Sequence, residues 1–384
     1  MNYTDLRDWL AVVERMGQLR TLRGAHWNLE IGSITDLLHH AQPSPAVVFD
    51  DIQDYPPGRR VLVNALHSRE RLALAMGLPA DLPDLDFVAH LRKKLSSITP
   101  IPPKRTASGS VLENVLTGKA IDIFQFPAPK WHEQDGGRYI GTGCIAVTQD
   151  PDDGWVNLGT YRVMVHDRDT VGLYISPGKH GRIHRDKYFS RGLPLKVAIS
   201  LGQEPLLFLG SCMELPYGMS EYDYVGGWRG EPVEVVEGEF SGLPIPAHAE
   251  IVLEGECHPD IRMDEGPFGE VTGYYASSVR AEPVVKIKAI YHRHDPIILG
   301  YPPSKPPNES SFVLSYYRSA MIWDELEKAG VPDIRGVWAH GAGAVRMFTV
   351  VSIRQRYPGH SRQAPDCHHE SCRRLFGKIY CRRG

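Results

Sequence analysis

The chain has 384 residues, 42% of them hydrophobic and 23% charged, with a formal net charge of -3. That balance argues against nucleic acid or an anionic membrane as a partner, and six cysteines are too few for a disulfide scaffold. Asp5, Arg7 and Asp8 interrupt the first residues where a leader would be apolar. No uncharged apolar window is long enough to span a bilayer, so the expectation is a soluble cytoplasmic protein of two or three domains.

Leu6, Trp9, Leu10 and Val13 make an apolar stripe at helical spacing over residues 5–16, and Gly17 ends it. Residues 31–40, 68–76 and 84–98 read as further helices. AVVFD (46–50) and RRVLVNAL (59–66) read as strands. This alternation predicts an N-terminal α/β domain over 1–112. The pattern then changes. From 138 to 295 the sequence predicts short strands with almost no helix: CIAVTQ, WVNLGTYRVMV, TVGLYIS, LKVAISLG, PLLFLGS, PVEVVEG, AEIVLEGE, EVTGYYA and VVKIKAIYH. Turns such as PDDGW and SPGKHG separate them. The spacing favours a barrel or sandwich over 113–305. No GxGxxG follows a strand, which argues against a nicotinamide-binding domain. ESSFVLSYYRSAMIWDELEKAG predicts a long helix over 309–329, and VRMFTVVSI (345–353) a buried strand. A partial C-terminal α/β domain is therefore expected over 306–384.

The densest polar constellation lies in the strand-rich middle. Glu265 and Glu270 flank the shaped turn EGPFGE, and with an arginine nearby such a pair can share proton work. A solvated hairpin loop is the plain alternative. Asn157 and Arg162 in NLGTYR, His180 in GKHGR and Glu221 in SEYDYVGG sit in or beside predicted strands. An amide, an imidazole and a carboxylate suit Mn²⁺ or Mg²⁺ bridging to a phosphate, although His180 reads equally as a surface residue. His132 and Asp135 in KWHEQDGG could line a pocket or pack a loop. Trp131, Tyr161 and the aromatic run at 222–228 could line an aromatic pocket or belong to the core.

Taken together, ENVLTGKAIDIFQFPAP, GGRYIGTGCIAVTQDP, NLGTYRVMVHDRDTVGLYISPGKHG, SEYDYVGGWRGEPVEVVEG, EGPFGEVTGYY and VVSIRQRYPGH resemble the UbiD family of prenylated-flavin decarboxylases, closest to members acting on hydroxybenzoates. The resemblance implies three parts: an N-terminal α/β domain, a split β-barrel like that of flavin reductases, and a C-terminal α/β domain carrying dimer contacts. It implies reversible, non-oxidative decarboxylation of an aromatic or other unsaturated acid on prenylated FMN, which a partner flavin prenyltransferase would supply. Asn157, His180 and Glu221 would hold Mn²⁺ or a similar cation on the cofactor phosphate, with K⁺ nearby. Arg162, Glu265 and Glu270 would face the flavin and substrate, Glu270 protonating the product carbon. Thr142, Ser211 and Met213 would touch the cofactor. Arg354 stands where the family has a lysine, and its planar fork is not equivalent to an ammonium. A flavin-dependent oxidoreductase and an inactive subunit of a decarboxylase complex are the competing classes.

The last residues, SRQAPDCHHESCRRLFGKIYCRRG, depart from the family pattern. GKIYCRRG can be written in codons whose other frame reads GKYIVVV, which is family-like. The expectation is a frameshift, a truncated third domain and a poorly soluble or inactive chain; resequencing the DNA tests it. A zinc site on Cys367, His368 and Cys372 is a remote reading, because no second pair completes it.

Overall fold

The computed structural model describes residues 3–364 and, as backbone alone, 378–383. The Cys367–His368–Cys372 reading lies outside the described residues. The helix Leu6–Arg15 forms as its spacing predicts: Asp5 caps it by accepting from the Asp8 N–H, and Leu6, Trp9, Leu10 and Val13 are its buried face. Helices Glu30–His40, Arg69–Met76 and Asp84–Ser96 follow within two residues of expectation. They accompany a four-stranded sheet in the order Leu19–Arg23, Ala46–Asp50, Arg60–Val63, Ile297–Leu299. The last of these returns from far along the chain and pairs parallel with Arg60–Val63, so the first sheet is tied directly to the exit from the middle region.

The middle of the chain is an open nine-stranded sheet whose pairings are all antiparallel. This is the split-barrel arrangement that the family resemblance implies, and it agrees with the barrel or sandwich expected from the strand spacing. Ile251–Glu265 and Arg280–His292 are its long central pair. Three helices were not anticipated there. PLLFLGS forms the helix Pro205–Cys212, not a strand; Pro205 opens it and Glu204 accepts from the Leu206 N–H. His180–Ser190 and Glu221–Arg229 are also helices. EVTGYYA is a loop, with Gly273 at φ +81°, in the left-handed region that glycine tolerates.

The helix Glu309–Lys328 and the strands Ile334–Ala339 and Phe348–Ile353 begin the third region. The strand Lys378–Arg383 pairs parallel with Phe348–Ile353. Asn308 and Ser311 close a capping box at the start of the helix. Next to them Glu309 is buried and accepts from the Leu66 N–H at 2.6 Å, joining the third region to the first. Burial raises its pKa from 4.5 to about 7, against the pull of two backbone hydrogen bonds and Arg71. The folded state thus holds this proton more tightly than the unfolded chain. The stability it contributes is complete below about pH 4.5 and is lost as pH rises through about 7. Glu309→Gln keeps the neutral form. Its stability relative to the parent is expected to improve by on the order of 2–3 kcal/mol between about pH 5 and about pH 8, measured by urea unfolding. An unchanged difference would mean that folding does not raise the Glu309 pKa.

Candidate active site and cofactor cavity

Two polar clusters lie on the open sheet. The first is built around Glu221, which starts the helix Glu221–Arg229, where exposed backbone N–H groups favour a carboxylate. Its side chain is buried and accepts from the Leu158 N–H at 2.7 Å and from Asn157 Nδ2 at 3.1 Å on each oxygen. Burial raises its pKa to about 7, against these bonds. Asn157 lies on the strand Val156–Gly159 and is itself buried, yet its Oδ1 has no hydrogen-bond partner among the described residues. His180, the first residue of its helix, packs edge-on to Trp155 at 4.9 Å. Burial, and then Lys179, lowers its pKa, which favours the neutral imidazole. All three side chains line one cavity of about 600 Å³.

Ser211 and Met213 line the same cavity. The Ser211 hydroxyl donates to Phe208 O at 2.7 Å and meets Thr160 Oγ1 at 2.8 Å. Thr142 stands behind the cavity wall: its Oγ1 accepts from the backbone N–H of Tyr301, a lining residue, at 2.9 Å. Arg354 is not brought to the cavity. It lies just past the strand Phe348–Ile353, exposed, with its N–H on Asp333 O. The cations that do reach this region are ones the sequence did not single out. Lys179 pairs with Glu214 at 3.3 Å, and Arg318 and Arg346 act on Glu214 through space, helping to lower its pKa against burial.

The second cluster is a largely buried guanidinium between two carboxylates. Arg162 Nε and Nη2 each donate to one oxygen of Glu265 at 2.7 Å, and Nη1 reaches Glu270 Oε1 at 3.3 Å. The guanidinium stacks 4.3 Å from the centre of the Tyr174 ring and 5.4 Å from that of Phe268. Burial disfavours its charge, but Glu265 outweighs burial and the pKa is raised. The two carboxylates are unlike. Glu265 ends a long strand with 1% of its side chain exposed, whereas Glu270 sits in the following loop with 37% exposed. So EGPFGE is no solvated hairpin, and no strand leaves directly after it. Gly266 at φ +81° turns the chain away from Glu265, and a Cβ on Gly136 would meet Gly266 O at 2.0 Å, so DGGRY packs directly on this turn. Sequence reasoning missed Tyr139, whose hydroxyl donates to Glu265 Oε1 at 3.2 Å. In the string GGRYIG nothing but its nearness to the glycines marked it. Of the expected aromatic residues, Tyr161 lines the cavity of Asn157, His180 and Glu221 and Trp131 a separate one. Tyr222 and Trp228 are core.

A cavity lined by Asn157, His180 and Glu221, with the paired Arg162 and Glu265 reached one residue on from Tyr161 of its wall, is the candidate active site of an enzyme. Comparison with known proteins is specific. The N-terminal, Rift-related and C-terminal domain models of 3-octaprenyl-4-hydroxybenzoate carboxy-lyase match residues 10–91, 103–306 and 311–367. The chain is 38% identical over 357 residues to pyrrole-2-carboxylic acid decarboxylase of Pseudomonas aeruginosa, covering 91% of this chain and 71% of that one. It is 32% identical to a phenolic acid decarboxylase of Bacillus subtilis, over 94% of this chain and 76% of that one. The fold matches the UbiD-class enzyme HmfF of Pelotomaculum thermopropionicum, solved with prFMN, with a TM-score of 0.88 at 27% identity, covering 99% of this chain and 85% of that one. It matches vanillic acid decarboxylase of Sedimentibacter hydroxybenzoicus in its open form equally well: TM-score 0.88, 29% identity, 99% and 80% coverage. The chain belongs to the UbiD family of prenylated-FMN decarboxylases.

No helix among the described residues is long and apolar enough to cross a membrane. Nor, among them, does any group of three His, Cys, Asp or Glu side chains form a metal centre. A cation here would rest on the mixed Asn–His–Glu set.

Proposed function

We propose that this chain removes CO2 from an aromatic carboxylic acid on prenylated FMN, with Arg162, Glu265 and Glu270 handling the acid and its proton. The observation that carries this reading is the bidentate Arg162–Glu265 pair with Glu270 as its less buried third member. The cofactor supplies the electron sink for the pair left when CO2 departs. Arg162, its planar guanidinium fixed in orientation by Glu265, presents its remaining N–H edge to a substrate carboxylate. Glu270, tied by one long bond, is free to carry a proton to the ring carbon. A flavin oxidoreductase has no use for such a triad. Hydroxybenzoates and pyrrole carboxylates are the first substrates to test, given what the relatives are named for. The relatives also suggest an oligomer, and a flavin prenyltransferase would supply the cofactor.

Asn157, His180 and Glu221 would hold a divalent cation, which would in turn bind the cofactor phosphate. The unpartnered Asn157 Oδ1 and the desolvated Glu221 carboxylate both gain from a positive charge there. Mn²⁺ suits this oxygen-and-imidazole set, with K⁺ as the accompanying ion that the resemblance implies. Glu221→Gln is expected to weaken Mn²⁺ binding beyond the roughly 10–100-fold typical of losing an outer partner, read by calorimetry with Mn²⁺ alone. Unchanged affinity would remove Glu221 from the set.

The function is tested by co-production with a flavin prenyltransferase, mass spectrometry of the bound cofactor, and CO2 release from a panel of aromatic acids. Plain FMN together with hydride-transfer activity would favour the oxidoreductase class instead.

A further inference from the structure

Glu270 faces a second cavity. It measures about 490 Å³ and lies between the helix Glu30–His40 and the loops around His132 and Gly273. It shares no lining residue with the cofactor cavity. Arg162 stands between them: it follows Tyr161, which lines one cavity, and bonds Glu270, which lines the other. Asp36, Glu133 and Glu270 put three carboxylates on the wall of the second cavity, against Lys305 and His132. That excess of negative charge repels a carboxylate substrate and favours water and cations.

The wall is also built to hold Glu270 in place. Asp135, 3% exposed, accepts from the Gly269 N–H at 3.1 Å through Oδ1 and from the His132 N–H at 2.9 Å through Oδ2. Gly136 N–H donates to Pro267 O at 2.8 Å. His132 Nε2 lies 2.7 Å from Pro303 O, and its ring leaves no room for a Cβ on Gly269. These contacts fasten the backbone beside Glu270 to KWHEQDGG while its carboxylate remains 37% exposed.

We propose that this cavity is the port through which solvent protons reach Glu270, with Asp135 and His132 as positioning residues. The proposal rests on Glu270 being the proton donor. The reaction is R–CO2⁻ + H⁺ → R–H + CO2. The C–C bond breaks, its electron pair stays on the ring carbon, and that carbon takes the proton from Glu270. Each turnover therefore leaves Glu270 ionised. With a substrate held against Arg162 and Glu270, the replacement proton must reach Glu270 from the side the substrate leaves open, and the second cavity opens on that carboxylate. The charged groups around it are Asp36 from the helix, His132, Glu133 and Asp135 from the loop before the sheet, Lys305 from the segment after it, and Arg162 from the sheet.

The test plugs the port without touching the triad. Ser33 lines the cavity from the helix Glu30–His40 and is exposed, so Ser33→Trp places an indole at the mouth. Loaded holoenzyme is pre-equilibrated at a series of acidic pH values and mixed with excess substrate, and product is followed from the first turnover, in H2O and in D2O. The expected result for Ser33→Trp is a burst of up to one equivalent at the parent rate, its size growing as the pre-equilibration pH falls. Later turnovers should slow by tenfold or more, with a larger solvent isotope effect confined to the slow phase. A misfolded or merely distorted site would slow the first turnover too. A parent-like steady state, or a first turnover slowed as much as later ones, overturns the proposal. Glu270→Gln in the same assay separates the two ideas. If it retains the parent rate, Glu270 is not the donor and the reading beneath fails; if it loses the burst while Ser33→Trp behaves as the parent, the port alone fails.

Discussion

Arg162→Ala is expected to lower kcat/KM by about 10²–10³-fold, as loss of a single well-aimed electrostatic group does, and to cost about 3–5 kcal/mol of stability. The stability loss comes from what remains. Glu265 is 1% exposed, and both its oxygens are committed to the guanidinium. Remove the cation and a carboxylate is stranded with the Tyr139 hydroxyl, far less than it needs. Arg162→Lys keeps a charge but cannot make two parallel bonds at 2.7 Å while also reaching Glu270, so activity should fall nearly as far while stability recovers in part. The double variant Arg162→Met/Glu265→Gln separates the effects. It removes both buried charges, so it should be more stable than Arg162→Ala and equally inactive. Urea unfolding and CO2 release on matched samples check this. A double variant less stable than the single one would show that the pair is not a desolvated couple.

Much of this fold was legible where periodicity and caps agree. Asp5 and the Leu6–Val13 stripe, or Asn308 with the long helix after it, carry their own start signals and a single buried face. PLLFLGS misled because Leu206, Leu207, Phe208 and Leu209 are all buried. A run buried on every side has no period to read, and Pro205 as a helix opener was the overlooked clue. His180 and Glu221 were placed beside strands because SPGKHG and SEYDYVGG look like turns; both residues in fact begin helices. Their grouping depends on contacts such as Asn157 to Glu221, 64 residues apart, which no local signal encodes. The roles of these residues came from the ordered motifs taken together. Tyr139 and the Asp135 tether stayed hidden for a related reason: a hydroxyl and a carboxylate in a glycine-rich loop acquire meaning only once DGGRY is packed on EGPFGE.

The two carboxylates of that motif should respond oppositely to the same conservative change. Glu270→Gln is expected to lower kcat by about 10²–10⁴-fold, the usual worth of a positioned proton donor, and to change stability by less than about 1 kcal/mol. It holds Arg162 by one bond at 3.3 Å and is 37% exposed, so little folding energy rides on its charge. Glu265→Gln should cost about 2–3 kcal/mol, since a buried charge-assisted hydrogen bond is lost and an amide N–H is turned toward a guanidinium. Its effect on activity should follow from a loosened Arg162 and so appear mainly in KM, because Arg162 still carries the charge that meets the substrate. The measurements are kcat and KM on one aromatic acid, the visible spectrum of bound cofactor as a loading control, and urea unfolding. If both variants lost kcat and stability in equal measure, the division of labour drawn from their exposures would fail. The acid–base role would then have to be assigned to the triad as a unit, as it must be when strongly coupled groups titrate together.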